Sequence, residues 1–356
     1  MPVTRRNPRS VIGYALMLFR SLLLLALCAS AQTIHFERHE IRDLGKERIA
    51  GAALEGKRLI TWGDRILSWD LAAGTMQLIH ARISHGFGPG GALFDGGLVV
   101  NEAAGRRALL RIDLRTGKST EIDHGISANE IVPATIFGRR GILLVQRRIQ
   151  VRFYEAPAWQ SRDVYSFYSP SDQGGLMLVD VDRDGRTDIL SGNYWIQCPA
   201  EIELPWRLFA IRVWAEEKLS GMVKMAWHDL FGTGTPNLIV SQSEMAKARV
   251  AWFEKPADPK QIWAEHRIEG SLDLDQPRSL QIADFDADGR PDILVAEGAG
   301  AGRLIVFHNE GSGNFAPVEV GRTSGALDAR ILDWNGDGRP DFLIVEPSRL
   351  SWWENR

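Results

Sequence analysis

The chain has 356 residues, 44% of them hydrophobic and 24% charged, which excludes a disordered polymer and supplies enough apolar residue for a core. Its 42 basic and 45 acidic side chains leave no basic excess for a nucleic-acid partner, whose phosphates need a positive surface. Two cysteines, Cys28 and Cys198, exclude a disulfide framework.

Residues 1–31 carry Arg5, Arg6, Arg9 and Arg20 and no acid, then the apolar run Leu22 to Cys28, then Ala29-Ser30-Ala31. A basic end, a short apolar segment and a small-residue cleavage site make a secretory signal, with cleavage expected before Gln32. Arg20 divides the apolar stretch, and neither part approaches the roughly 20 residues that span a bilayer, so the mature chain is expected to have no membrane span. Leu27 stands where a lipoprotein would want a small residue, and Thr4-Arg5-Arg6 is a weak twin-arginine signal. Losing four arginines leaves 38 basic residues against 45 acidic ones, about −7 by counting, with Cys198 alone. The expected location is secreted or periplasmic, and residues 32–356 are expected to form one domain.

Phe36-x-x-His39-x-Ile41 alternates as a strand with one buried face does. The pattern returns at Trp159-x-x-Arg162-x-Val164, Trp206-x-x-Phe209-x-Ile211, Trp263-x-x-His266-x-Ile268 and Phe315-x-x-Val318-x-Val320. From about 44 to 166 the strands are plain. Ser68-Trp69-Asp70-Leu71 and Arg111-Ile112-Asp113-Leu114 are copies 43 residues apart, each entering a glycine turn, and a third unit runs through Phe153-Tyr154-Glu155. The run His85-Gly86-Phe87-Gly88-Pro89-Gly90-Gly91 lacks the lysine and helix of a phosphate loop and is expected to be a connection between units.

From about 168 to 356 each unit carries an acidic loop. Asp180, Asp182, Asp184, Gly185 and Asp188 recur as Asp284, Asp286, Asp288, Gly289 and Asp292, and as Asp333, Asn335, Asp337, Gly338 and Asp341. A worn copy keeps Asp229, Gly232, Gly234 and Asn237, and the leading aspartates follow one another at 49, 55 and 49 residues. A fixed period of that length signals stacked supersecondary units. Within a unit the order is strand, acidic loop, second strand, a third strand with aromatics such as Trp195-Ile196 or Trp252-Phe253, and the Trp-x-x fourth strand. Four antiparallel strands in about 50 residues make a propeller blade. The last unit ends at its third strand, Trp352-Trp353-Glu354-Asn355, so the Phe36 strand is expected to complete it and close the ring. The fold expected is an all-β, seven-bladed β-propeller of four-stranded antiparallel blades.

Asp-x-Asp-x-Asp-Gly-x-x-Asp between two strands resembles the calcium loop of FG-GAP/VCBS repeat propellers, the family that includes the integrin α-chain propeller. The resemblance covers the loops of 168–356, with Phe231-Gly232 and Phe87-Gly88-Pro89 as faint echoes of the name-giving elements. The residues support the same chemistry unaided. Alternate carboxylates can fold around one centre, the glycine permits the turn, and all-oxygen ligation favours calcium. The candidate ligands are Asp180, Asp182, Asp184, the Arg186 carbonyl and Asp188; Asp284, Asp286, Asp288, the Arg290 carbonyl and Asp292; and Asp333, Asn335, Asp337, the Arg339 carbonyl and Asp341. The Asp229 loop, with Phe231 and Thr233 in place of carboxylates, is expected to be empty. About three calcium ions are expected, in a structural role.

Residues leaving second strands or entering first strands would ring the opposite channel mouth. Glu102, Asn193, Tyr194, Glu244, Glu297 and Glu346 are the candidate ligand-binding residues there, with Asn101, Gln242, His85, Asn129, Gln173 and Gln276 beside them and Trp214 as a freer stacking surface. His39 and His266 hold equivalent fourth-strand positions and read as structural. The expected function is a monomeric, secreted calcium-binding propeller that binds an extracellular protein or carbohydrate. An extracellular polysaccharide lyase or hydrolase with an acidic channel mouth is the alternative.

Overall fold

The computed structural model describes residues 34–147, 149–167, 175–211, 223–270 and 272–356. The leader at 1–31, Gln32, Gln173 and Trp214 lie outside the described residues. Among the described residues the regular structure is all strand, and no helix is long and apolar enough to cross a membrane.

The strand β1 (Phe36–Asp43) comes first in the chain and last in the ring. Blade 1 holds β2 (Ile49–Glu55), β3 (Arg58–Gly63), β4 (Ile66–Asp70) and β5 (Thr75–His80). Blade 2 holds β6 (Phe87–Phe94), β7 (Gly97–Glu102), β8 (Leu109–Asp113) and β9 (Ser119–Asp123). Blade 3 is β10 (Ile131–Ile136), β11 (Arg139–Gln146), β12 (Gln150–Glu155) and β13 (Gln160–Ser166). Blade 4 is β14 (Met177–Val179), β15 (Asp188–Ser191), β16 (Tyr194–Gln197) and β17 (Arg207–Ala210). In blade 5, β18 (Val223–His228) and β19 (Asn237–Gln242) are followed by the short β20 (Ala246–Ala248), then β21 (Val250–Glu254) and β22 (Ala264–Arg267). The short strand pairs with β23 (Leu274–Asp275) as a separate two-stranded ribbon that the sequence reading did not find. Blade 6 is β24 (Pro277–Ala283), β25 (Asp292–Glu297), β26 (Arg303–Gly311) and β27 (Asn314–Arg322). Blade 7 is β28 (Asp328–Leu332), β29 (Asp341–Val345) and β30 (Arg349–Asn355), completed by β1.

That last pairing closes the ring, with Phe36 opposite Asn355 and His39 opposite Trp352. Closure hides the strand edge that an open array would present to other chains. Burial follows the blade. Second strands such as Asp292-Ile293-Leu294-Val295-Ala296-Glu297 are buried throughout, because a neighbouring blade covers each face, whereas the fourth strand β5 is largely exposed. Among the described residues the core is accordingly seven clusters, each shared by adjacent blades. The fourth and fifth blades pack Leu190 and Trp195 against Val240 and Phe253, and the ring's closing cluster packs Ile49, Leu59 and Leu67 against Leu343 and Val345.

The glycine-rich run expected to be a connection is, from Phe87 on, part of the first strand of blade 2. Phe87 pairs with Glu102 and Gly91 with Val100, so residues 88–90 form a bulge. Its glycines serve close packing. Trp62 stands between Gly51 and Gly91, where an added Cβ would come within 2.4 Å and 2.6 Å of the indole. The indole N–H donates to the Gly88 carbonyl at 3.0 Å.

Candidate metal centres and channel

Each acidic loop joins the first and second strands of its blade, so all four lie on one face of the ring. Their backbones match. In every copy the leading aspartate accepts the backbone N–H groups of the fifth and sixth residues: Asp180 from Asp184 and Gly185, Asp284 from Asp288 and Gly289, Asp333 from Asp337 and Gly338, and Asp229 from Thr233 and Gly234. The fourth position is left-handed in every copy, with φ of 60° at Arg183, 65° at Gly232, 59° at Ala287 and 80° at Gly336. The worn loop therefore keeps the turn while losing the carboxylates.

The ninth position ties the loop to the third strand. Asp188 accepts the N–H groups of Val181 and Cys198, Asp292 those of Phe285 and Asn309, and Asp341 those of Trp334 and Asn355. All three carboxylates are 0% exposed. Burial pushes Asp188 up to about 6 against the pull of its backbone donors, and raises Asp292 and Asp341 for the same reason. A buried carboxylate whose ordinary acidity is suppressed lacks sufficient positive charge nearby, which a bound cation would supply.

Two loops gather ligand atoms. Asp180, Asp182 and Asp188 bring carboxylate oxygens within 4.8 Å of one another, and so do Asp284, Asp286 and Asp292. These groups could hold a metal ion, and the donor set is the all-oxygen one that hard cations take. Asp184 and Asp288 each also meet the guanidinium two residues on, Arg186 and Arg290, and of the two only Asp288 joins a cluster of ligand atoms, with Asp286 and His308. The blade 7 loop is arranged differently: the Asn335 amide donates to Asp337 at 3.1 Å and to Glu354 at 3.0 Å. In the worn loop Phe231 packs on Trp252 and Phe315, filling with a ring the place of the second carboxylate.

Several of the candidate mouth residues are engaged by hydrogen bonds within the fold. Glu297 is 0% exposed and accepts the Asp275 and Arg303 N–H groups and the Arg303 guanidinium. Glu346 is buried and accepts the Ser324 N–H and hydroxyl. Glu102 takes the Ala108 N–H, and Gln146 and Gln242 at the same strand end take those of Ser127 and Arg249. The last residue of the second strand thus folds back to pin its own blade. Burial would raise the Glu297 carboxyl, but the Arg303 and backbone donors outweigh it and hold the group below its usual range. Glu244 is exposed in a turn, Asn193 is half-buried, and Tyr194 opens the third strand of blade 4 and packs on Phe167.

The channel itself offers a cavity of about 390 Å³. Ala50, Gly51, Ala52, Ala53, Gly91 and Ala92 make one wall, and Asn129, Glu130, Lys224, Asp328 and Arg330 supply polar groups. Asp328 and Arg330 are paired at 2.6 Å, and Glu130 accepts the Leu176 N–H. Small residues on β2 and β6 open the space, a signal the sequence reading did not use.

The fold and loops together define the class: a seven-bladed β-propeller carrying an FG-GAP-like repeat, whose family model matches residues 284–344, the acidic loops and core strands of blades 6 and 7. No curated relative matches the chain. Among solved structures it is similar to a gluconolactonase from Xanthomonas campestris, at 14% identity and a TM-score of 0.46, over 92% of each chain. It is also similar to a Bacteroides thetaiotaomicron protein of unknown function, at 10% identity and a TM-score of 0.49, over 90% of this chain and 76% of that one.

Proposed function

We propose that the protein is an exported, calcium-stabilised propeller that serves as a binding module for a protein or glycan. The carrying observation is the pair of loops that each collect three carboxylate oxygens within 4.8 Å on a turn of fixed backbone. Calcium there would neutralise the repulsion among the carboxylates and hold the hairpin between first and second strands, without chemistry of its own. The loops of blades 4 and 6 are the stronger sites, and the blade 7 loop, with Asn335 in place of a carboxylate, is the weaker third. Export is supported by the basic, apolar and small-residue order of residues 1–31.

The ligand's place is the channel. A cavity of about 390 Å³ with an apolar wall and a few polar groups has the size and lining of a small-ligand pocket, and suits one sugar or side chain of a larger ligand. Calorimetric titration of the calcium-depleted chain should show two tight sites and one weaker, with a rise in melting temperature. No calcium uptake and an unchanged melting temperature would overturn the metal reading. A glycan array, with Lys224→Ala as the control, tests the channel; binding that ignores this substitution would place the ligand elsewhere.

A further inference from the structure

The blade 6 loop differs from its copies in what the third strand lays beside it. Ile189 pairs with Ile196, Ile293 with Phe307 and Phe342 with Trp353, so the next residues, Gln197, His308 and Glu354, hold one equivalent position. Each meets the third residue of its loop. The Gln197 amide donates to Asp182 at 2.6 Å, and Glu354 accepts from Asn335 at 3.0 Å. His308 instead places Nδ1 3.4 Å from Asp286 Oδ2 and 3.2 Å from Asp292 Oδ1. His308, Asp286 and Asp288 bring ligand atoms within 4.8 Å of one another. The cluster is built into the blade: the Asp286, Asp288 and Asp292 side chains are 2%, 8% and 0% exposed.

These separations suit coordination as well as contact. Two donors each about 2.1 Å from one ion, at tetrahedral to octahedral angles, stand about 3.0–3.4 Å apart. An imidazole nitrogen among carboxylates suits borderline dications, which calcium is not. Gln197 presents a donor N–H to its loop and leaves the blade 4 cluster to its oxygens. Asp292 Oδ1 already accepts the Asn309 N–H, and its second lone pair remains for an ion.

We propose that blade 6 carries a mixed nitrogen and oxygen site, His308 Nδ1 with Asp286, Asp288 and Asp292, that takes a first-row transition-metal dication. It shares Asp286 and Asp292 with the all-oxygen position, so the two kinds of ion occupy this loop alternately. His308 is then the residue that sets ion preference, and blade 4 is the internal control.

The test is titration of the calcium-depleted full chain with Co²⁺, followed by visible absorption and calorimetry, with calcium titrated separately on the same samples. One Co²⁺ with a nitrogen-ligand spectrum is expected. His308→Gln should weaken Co²⁺ binding roughly tenfold or more while calcium binding shifts far less. Gln197→His should install a second Co²⁺ equivalent, an outcome no merely structural role of His308 predicts and one available even if the His308 variant fails to fold. Unchanged Co²⁺ affinity in His308→Gln would make the imidazole only a counter-ion and overturn the proposal, as would parallel loss of both ions. Co²⁺ bound through His308 with no calcium bound anywhere would sink the calcium reading and leave this one standing.

Discussion

Glu297 separates a structural from a binding reading of the channel mouth. The perturbation is Glu297→Ala and, beside it, Glu297→Gln. In the parent the carboxylate is wholly buried and accepts the Asp275 N–H at 2.9 Å, the Arg303 N–H at 3.0 Å and the Arg303 guanidinium at 2.6 Å and 3.0 Å. The Arg303 side chain is itself mostly buried. Removing one partner of a buried ion pair typically costs about 3–5 kcal/mol, because the other charge is left without compensation. The alanine variant should lose about that much. Glutamine keeps the shape and one acceptor but not the charge, so about 1–3 kcal/mol is expected.

Urea denaturation of the chain in calcium-containing buffer, followed by circular dichroism, measures both. Acid dependence provides a second readout. The Glu297 carboxyl is held below its ordinary 4.5, so its contribution is present above that value and is lost as pH falls through the lowered one. Glu297→Gln should flatten the loss of stability in that acid range. If either variant keeps the parent's stability and loses ligand binding, Glu297 is a recognition group and the reasoning fails.

Three further perturbations follow from the backbone and the ring. Ala287 sits at φ 59°, a region that costs an alanine about 1 kcal/mol, so Ala287→Gly should raise the denaturation midpoint slightly; a fall would mean the turn is held some other way. Gly51→Ala would drive a methyl to within 2.4 Å of the Trp62 ring, and overpacking of this kind should destabilise by about 1–3 kcal/mol; thermal unfolding at parent values would show that the channel wall yields freely. Deleting residues 32–42 removes most of the strand that closes blade 7, including Phe36 with its contacts to Phe285 and Phe342, and should lower the melting temperature sharply and promote association through the bared edge of β30; a monomer of parent stability would refute closure as a source of stability.

The architecture was legible because each blade writes its strands with local marks. Asp-x-Asp-x-Asp-Gly fixes a turn over nine residues, and the aromatic of the fourth strand recurs at a constant offset, so even the displaced β1 could be matched to blade 7. The direction of a strand's last side chain carries no such mark. Glu297 was correctly placed at a strand end, but whether it meets a ligand or folds onto Arg303 depends on the next strand's position. His308 was missed for a related reason: it lies 16 residues beyond Asp292 and becomes its neighbour only once Ile293 pairs with Phe307. The glycine-rich run misled because four glycines from His85 to Gly91 look like a loop, whereas Gly88, Gly90 and Gly91 let a strand approach Trp62 and Asn101.

The ninth-position carboxylates carry the remaining test of whether a cation binds in these loops. Asp188 is pushed up to about 6 from an ordinary 3.8 by burial, so the folded chain without metal holds a proton there more tightly than the unfolded chain. The sign follows: this group's contribution is fully favourable below 3.8 and is lost as pH rises through about 6, a swing on the order of 3 kcal/mol. Asp292 and Asp341 act in the same direction. Calcium would supply the missing positive charge and hold the carboxylates ionised, so the effect should vanish when it binds. Denaturation midpoints between pH 5 and pH 7, with chelator and with calcium, give the comparison, since titrations elsewhere in the chain cancel between the two series. The chelated protein should lose more stability than the calcium-loaded one as pH rises, and Asp188→Asn should reduce that gap. Parallel curves would mean the backbone donors of Val181 and Cys198 alone suffice for the buried charge. The worn loop shows that the turn itself survives on its leading aspartate and glycines, with Asn237 in the ninth place. A second, third and ninth carboxylate are therefore unnecessary for the turn, and binding of a cation is the role that this comparison of pH series tests for them.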